Sequence, residues 1–276
     1  MIVHSFCDNW EFTRHWTEAF GKGLHVPKQQ TVRLPHNCRE LPLHYADPAD
    51  YEMVCGYRKQ FRVPPVQAAP RLFLRFDGAA HQASVFVNGK PAGAHAGGYT
   101  GFELEITDLV DRDSENLLTV KLDTREDPSI PPFGFVIDYL TYGGLYREVW
   151  LEASAPSRLT DLFVYTPNLK EAAVQWTAER LDGIATVRIR LEDAAGRPLA
   201  EQTADAAPNG ALTLPALEAR PWSPEDPQLC RCTAELLDAA GHVMDRKQVS
   251  FGFRTAVFRA DGFYLNGKKT FLRGLN

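Results

Sequence analysis

Residues 102–106 read Phe-Glu-Leu-Glu-Ile and residues 187–192 read Val-Arg-Ile-Arg-Leu-Glu. Alternation of apolar and charged side chains with a period of two puts one face of an extended chain on a core and the other in water, which a helix cannot do. Further β-rich runs follow at 72–76, 84–87, 117–122, 147–151 and 232–237. Helical periodicity is confined to Asn9–Phe20 and a short turn at Asp108–Asp111, and neither carries a sustained apolar stripe. The connections have hairpin chemistry. Asn88-Gly89 and Asn266-Gly267 tolerate positive φ and predict tight primed turns. Asp193-Ala-Ala-Gly196 and Asp238-Ala-Ala-Gly241 are a matched second pair. The chain reads as all-β.

Its 276 residues are enough for about two domains of roughly 150 residues each. The small, Pro-punctuated stretch Glu152–Ser157 is a natural linker, which places a boundary near 155. The first part suits a two-sheet jelly roll and the following hundred or so residues suit a seven-stranded immunoglobulin-like sandwich. The composition is 44% hydrophobic and 24% charged, with a net charge of −5 and no basic run, so no electrostatic footprint for nucleic acid exists. No apolar window reaches eighteen residues, and the N-terminus lacks the layout of a secretory signal, so no membrane partner and a cytoplasmic location are expected. The five cysteines, Cys7, Cys38, Cys55, Cys230 and Cys232, have no CxxC pair and fit reduced thiols. Cys230 and Cys232 share one face of a strand and read as small buried hydrophobes.

No nucleophile elbow, phosphate loop, zinc helix or dinucleotide fingerprint occurs, so neither a cofactor nor a metal is expected. Gly97-Gly98 and Gly143-Gly144 read as tight turns or bulges. The eight histidines are dispersed, with no two at ligand spacing. Pro131–Tyr146 stands out because it packs five aromatics and one carboxylate, Asp138, between two prolines and two glycines. Aromatic faces beside an acid suit a sugar, whose C–H surface stacks on rings and whose hydroxyls donate to carboxylates. The segment reads alternatively as an aromatic loop closing one end of a sandwich, with Asp138 a solvated or turn-capping acid.

Several blocks in order resemble the sugar-binding domain of glycoside hydrolase family 2. They are Gly56-Tyr57-Arg58, Val85-Phe-Val-Asn-Gly89 followed by His95-Ala-Gly-Gly-Tyr-Thr-Gly-Phe102, and Gly143-Gly-Leu-Tyr-Arg-Glu-Val-Trp-Leu151. Pro221-Trp-Ser-Pro-Glu-Asp-Pro227, Phe251-Gly-Phe-Arg254, and Phe263-Tyr-Leu-Asn-Gly267 through Asn276 resemble that family's immunoglobulin-like domain and its exit into a catalytic barrel. Cys230, where the family commonly has Tyr, is a departure that touches packing alone.

The resemblance implies three parts: a sugar-binding jelly roll over 1–155, an immunoglobulin-like sandwich over 156–255, and a hairpin with a first-strand stub of a TIM barrel over 256–276. It also implies a parent enzyme that is a retaining β-glycosidase of β-galactosidase or β-glucuronidase type. The family's two catalytic glutamates lie on the barrel, which needs roughly 250 residues of its own, so this chain alone is expected to be inactive and to hold no catalytic residue. Its partners are then a carbohydrate substrate and the barrel of the same chain. Members of the family often self-associate, and the charge is compatible with a homo-oligomer. Asp138 lies six residues before Gly144, the spacing at which galactosidases and glucuronidases place an aspartate that binds glycone hydroxyls. The implied role is orientation of the sugar ring. Tyr139 and Tyr142 share that loop and are implied as further substrate contacts. Glu52 lies near a second glycone contact of some galactosidases, but residue identity differs there and no role is carried to it. Outside this resemblance, a stand-alone carbohydrate-binding or scaffolding β-sandwich protein accounts for the same strands.

Overall fold

The computed structural model describes residues 2–40, 47–65, 71–131 and 142–274. The chain divides into two compact units, 1–153 and 154–276. In the first, a six-stranded sheet has the order β3 (Gln30–Val32), β2 (Trp10–Thr13), β4 (Val54–Arg62), β9 (Glu115–Asp123), β6 (Gln82–Val87), β7 (Lys90–Ala96). A four-stranded sheet has the order β1 (Ile2–Ser5), β10 (Val149–Ser154), β5 (Arg71–Phe76), β8 (Phe102–Glu105). All pairs of the six-stranded sheet are antiparallel, as are β1 with β10 and β5 with β8. This is the two-sheet architecture expected of a jelly roll.

The core between the sheets follows the period of two. Leu118, Val120 and Leu122 point inward from β9, and Leu72, Leu74 and Phe76 from β5, all fully buried. The alternation extends further toward the N-terminus than the sequence suggested. Trp10 and Phe12 are both core residues, so Trp10–Thr13 is strand β2 and the only helix in this stretch is the single turn α1 (Glu18–Gly21). Burial of two aromatics two residues apart outweighs a weak helical pattern.

The Gly56-Tyr57-Arg58 block explains how α1 is held. On one side of β4, a Cβ at Gly56 would lie 2.9 Å from the Phe20 ring, so only glycine fits. Tyr57 points to the other side and is wholly buried. Arg58, itself buried, donates to the carbonyls of Phe20 (3.0 Å) and Leu24 (2.8 Å), pairs with Glu11, and lies 4.4 Å over the Phe20 ring. A buried guanidinium is tolerable because its donors are satisfied.

The second unit has a three-stranded sheet, β11 (Arg158–Asn168), β12 (Glu171–Glu179), β15 (Asn209–Pro215), and a four-stranded sheet, β14 (Pro198–Asp205), β13 (Ile184–Glu192), β16 (Cys230–Asp238), β17 (Val243–Phe251). Seven strands in two sheets match the immunoglobulin-like expectation. Trp176, Ile189, Leu191, Leu214, Cys232, Leu236 and Phe253 form its core. Burial pushes the Cys232 thiol up to about 12, as befits a small hydrophobe. The two Asp-Ala-Ala-Gly turns are built alike. Asp193 Oδ1 accepts from the backbone of Ala195 and Arg197, and Asp238 Oδ1 from Ala240 and His242, each bond 2.8–2.9 Å. Gly196 and Gly241 close them at φ of 78° and 83°.

Beyond β17, the strands β18 (Ala256–Arg259), β19 (Gly262–Leu265) and β20 (Lys268–Lys269) form a small meander whose Asn266-Gly267 turn has both φ values positive. Asn266 ties it back, donating 2.9 Å to the Trp222 carbonyl and accepting 3.0 Å from Thr255 N–H. Trp222 in turn lies against Gly252 and under the Arg254 guanidinium.

On the outer face of the four-stranded sheet, fully buried Glu235 is bracketed across the register by Arg188 and Arg246 at 2.6–2.9 Å, with Arg190 at 2.8 Å. Burial alone pushes its carboxyl up, but hydrogen bonds from Arg188 and Arg246, with the charges of Arg190 and Arg246, outweigh this and hold it below the ordinary range. A depressed carboxyl contributes stability above the usual carboxylate pKa, and that contribution is lost as pH falls. Glu235→Gln is expected to lose about 1–3 kcal/mol of unfolding free energy at pH 7. In urea titrations its difference from the parent protein should shrink below about pH 4.

Candidate functional site

One end of the six-stranded sheet gathers the segments that frame residues 131–146. Register aligns Val54 of β4, Asp123 of β9 and Gln82 of β6. This brings the residues just outside them together: Tyr51–Met53, Thr124 and His81. Thr124 joins the first group twice, its Oγ1 donating to the Tyr51 carbonyl at 2.5 Å and accepting from Met53 N–H at 3.0 Å. His81 is 2% exposed and is the node of this end. Its N–H donates to the Asp123 carbonyl (3.1 Å), its carbonyl accepts from Gly97 N–H (2.9 Å), and its Nδ1 lies 3.0 Å from the Thr124 carbonyl. A carbonyl opposite Nδ1 requires that nitrogen to carry a proton.

Both feet of the 131–146 segment stand on this frame. Gly98 N–H donates to the Pro131 carbonyl at 3.3 Å, and the Tyr146 hydroxyl donates to the Gly98 carbonyl. The second foot is clamped harder. Ala80 and Gly144 exchange backbone hydrogen bonds at 3.1 and 3.2 Å, Cys38 N–H donates to Gly143 (2.9 Å), and His36 N–H donates to Leu145 (2.8 Å). Gly143-Gly144, which the sequence reads as a tight turn or a bulge, is squeezed between two backbones, and glycine is needed for the approach. A Cβ at Gly144, where φ is 139°, would lie 2.3 Å from the His36 carbonyl oxygen, and one at Gly143 would lie 2.4 Å from Thr124 Cγ2.

Of the three residues implied in glycone binding, Asp138 and Tyr139 lie outside the described residues. Tyr142 stands at the clamped foot and is 44% exposed. Glu52 is exposed, with Oε1 accepting 3.4 Å from Glu126 N–H. The nearby carboxylates are engaged. Arg125 hydrogen-bonds Asp123 and holds its carboxyl below the usual range, and Ser129 does the same for Asp127. His36, lowered by burial and then by the charge of Arg14, lies 2.9 Å from the Tyr57 hydroxyl. Burial raises the Cys38 thiol. At this end the buried His81 Nε2, Tyr51 Oη and Trp16 Nε1 have no hydrogen-bond partner among the described residues. Sequence reasoning missed His81 and Thr124 because only strand register brings them under Gly143. Among the described residues no group of three His, Cys, Asp or Glu side chains could hold a metal. What this end provides among the described residues is a rigid frame that holds residue 131 and residues 142–146.

Two family models match the chain. Residues 23–155 match the sugar binding domain of the glycosyl hydrolases family 2, and residues 157–254 match a second model of that family. The chain belongs to glycosyl hydrolase family 2. The first match contains the whole of the 131–146 segment and nearly all of its frame. Among curated proteins, a β-galactosidase of Thermoanaerobacter pseudethanolicus is 32% identical over 90% of this chain, and a β-glucuronidase of Paenibacillus borealis is 27% identical over 92%. The match covers 34% of the first relative and 45% of the second. This family 2 chain thus spans about a third to under a half of the length of these relatives. Among solved structures, Bifidobacterium dentium β-glucuronidase complexed with coumarin-3-O-glucuronide superposes with a TM-score of 0.83 at 26% identity, over 97% of this chain and 50% of that one.

The clamp makes a sharp comparison possible. Gly144→Ala forces a Cβ against backbone and should cost about 3 kcal/mol or more. Gly89→Ala, at φ 75° with no atom within 4 Å, should cost only about 1 kcal/mol, for the left-handed backbone alone. Thermal melting of the two variants, side by side, checks the difference.

Proposed function

We propose that this chain is the non-catalytic N-terminal portion of a retaining β-glycosidase of β-galactosidase type, whose catalytic carboxylates lie on a following TIM barrel. The observation that carries the reading is the coverage. Two modules of family 2 fill residues 23–254, while the β-galactosidase and β-glucuronidase relatives extend to more than twice the length of this chain. Phe258 and Phe271 are 77% and 84% exposed, with Leu272 beside them, and such an apolar cluster is what a further domain would cover. Residues 256–276 are then the hairpin and first strand leading into it. The five cysteines, all buried free thiols, support a reducing, cytoplasmic setting.

In this reading the 131–146 segment reaches the barrel and Asp138 accepts hydrogen bonds from glycone hydroxyls, with Tyr139 and Tyr142 beside the ring. A charged acceptor held on a rigid mount orients the sugar and lowers the barrier without moving a proton. The rigidity comes from the double footing on Gly98 and the clamp at Gly143–Leu145.

The test uses the longer protein encoded with this segment. It should hydrolyse a chromogenic β-galactoside, and the 276-residue chain alone should not. Asp138→Asn should lower kcat/KM about 100-fold or more, equivalent to roughly 3 kcal/mol of transition-state stabilisation, with melting temperature unchanged. Wild-type kinetics in that variant would remove Asp138 from the site.

A further inference from the structure

His36 belongs to the clamp through its backbone and to the core through its ring. Its N–H donates 2.8 Å to the Leu145 carbonyl, and its own carbonyl oxygen is the atom that a Cβ at Gly144 would meet at 2.3 Å. The imidazole packs edge-on against Phe12, with centroids 4.7 Å apart, and lies 5.7 Å from the ring of the fully buried Tyr57. Among the described residues the Tyr57 hydroxyl has two acceptors, and both belong to His36: Nδ1 at 2.9 Å and the carbonyl oxygen at 3.5 Å. The backbone of Leu145 hydrogen-bonds the same hydroxyl. His36, Tyr57 and Leu145 thus form one small polar group that joins β4 to the clamp.

A neutral His36 satisfies this group. With the ring proton on Nε2, Nδ1 accepts from Tyr57 at the shorter of the two distances. Burial raises the Tyr57 hydroxyl far above its ordinary range, so it stays a donor. A second proton on the ring reverses the bond at Nδ1, because both ring nitrogens are then donors. The hydroxyl proton must turn to the His36 carbonyl, where 3.5 Å allows only a weak bond. The new charge is also badly placed. Burial opposes it most, the Arg14 guanidinium adds repulsion, and Glu40, the weaker of the two charges, acts the other way. Cys38 and Cys55, the other ionisable neighbours of Tyr57, have thiols raised by burial and add no charge.

We infer that the clamp is proton-sensitive: a proton taken up by His36 disfavours the joined arrangement of residues 36–38, 80 and 143–145, so the second foot opens more often in mild acid. His36 is neutral while the clamp is closed and titrates as a free histidine once it is open. The open form therefore binds more protons, and closure is strongest above about pH 6.5 and weakens below it. Over the interval between the free and the clamped titration the opening constant rises by at most about tenfold per pH unit. That the foot carries a sugar-binding segment rests on the glycosidase reading above, whereas the response to protons does not. On that reading, mild acid weakens glycone binding by the longer protein.

The experiment is native-state hydrogen exchange of the 276-residue chain between about pH 7.5 and about pH 5, with rates corrected for intrinsic exchange to give opening constants. The amides of His36, Cys38, Ala80 and Gly144 donate within the clamp and should open about fivefold or more often at the lower pH. Those of Leu117, Leu118 and Thr119, at the far end of β9, are the reference and should change less than about twofold. His36→Gln keeps an acceptor for Tyr57 without a titratable ring, and should lose most of the difference between the two pH values. The His36 ring, followed by NMR in the parent protein, gives a second measure that needs no variant. Its midpoint should lie below about 6.5, and the opening constants should rise from there and level off at that midpoint. The inference is overturned if the clamp amides open equally at both pH values or if the reference amides change as much. It is also overturned if a folded His36→Gln variant retains the difference, or if the ring titrates at or above the free value. None of these results depends on Asp138 or on the activity of the longer protein, so failure here and failure of the glycosidase reading are distinguishable.

Discussion

The backbone approach at Gly143–Leu145 is the constraint on which the candidate site depends. Three segments far apart in sequence, 36–38, 80–81 and 143–145, are laced by main-chain hydrogen bonds at a separation that excludes any side chain at Gly144. Main-chain bonds of this kind have fixed length and direction, so the foot of the 131–146 segment inherits the rigidity of the sheet beneath it. His81 extends that rigidity sideways by holding Thr124 with its ring and Gly97 with its carbonyl.

Elsewhere the units are organised by buried charges that are fully engaged. Arg58 holds the carbonyl end of α1 and the following loop against β4, and Glu235 draws three arginines across three strands. Each would be costly alone in a low-dielectric setting, and each is tolerated because its hydrogen-bonding capacity is used.

Family membership and geometry bear on different levels of the function. The two matches define the modules and the relatives define the class of enzyme to which such modules belong. The geometry adds the backbone clamp at Gly143–Leu145 and the side-chain frame of His81 and Thr124 beside it. Neither of these is visible in a family description, because both are made by residues that converge from separate strands.

Much of the fold was legible in the sequence because it is written in local chemistry. Period-two alternation gave the strands, the Asn-Gly and Asp-Ala-Ala-Gly turns gave four hairpins, and the linker composition separated two sandwiches. Trp10 and Phe12 lie in a stretch whose weak helical pattern carries no sustained apolar stripe, and it is their burial against Tyr57 that marks them as a strand. For Gly143-Gly144 the sequence leaves a turn or a bulge open, because it shows that a backbone position needs glycine without showing what approaches it. The sequence by itself determined strand order along the chain, hairpin geometry, the absence of recognisable nucleophile or metal motifs, and the spacing of Asp138 from Gly144. Only the tertiary structure decided that His81, Thr124 and Gly98 come together around residue 131 and residues 142–146. Contacts between strands distant in sequence are set by register and sheet packing, and these have no signature in any short window of residues.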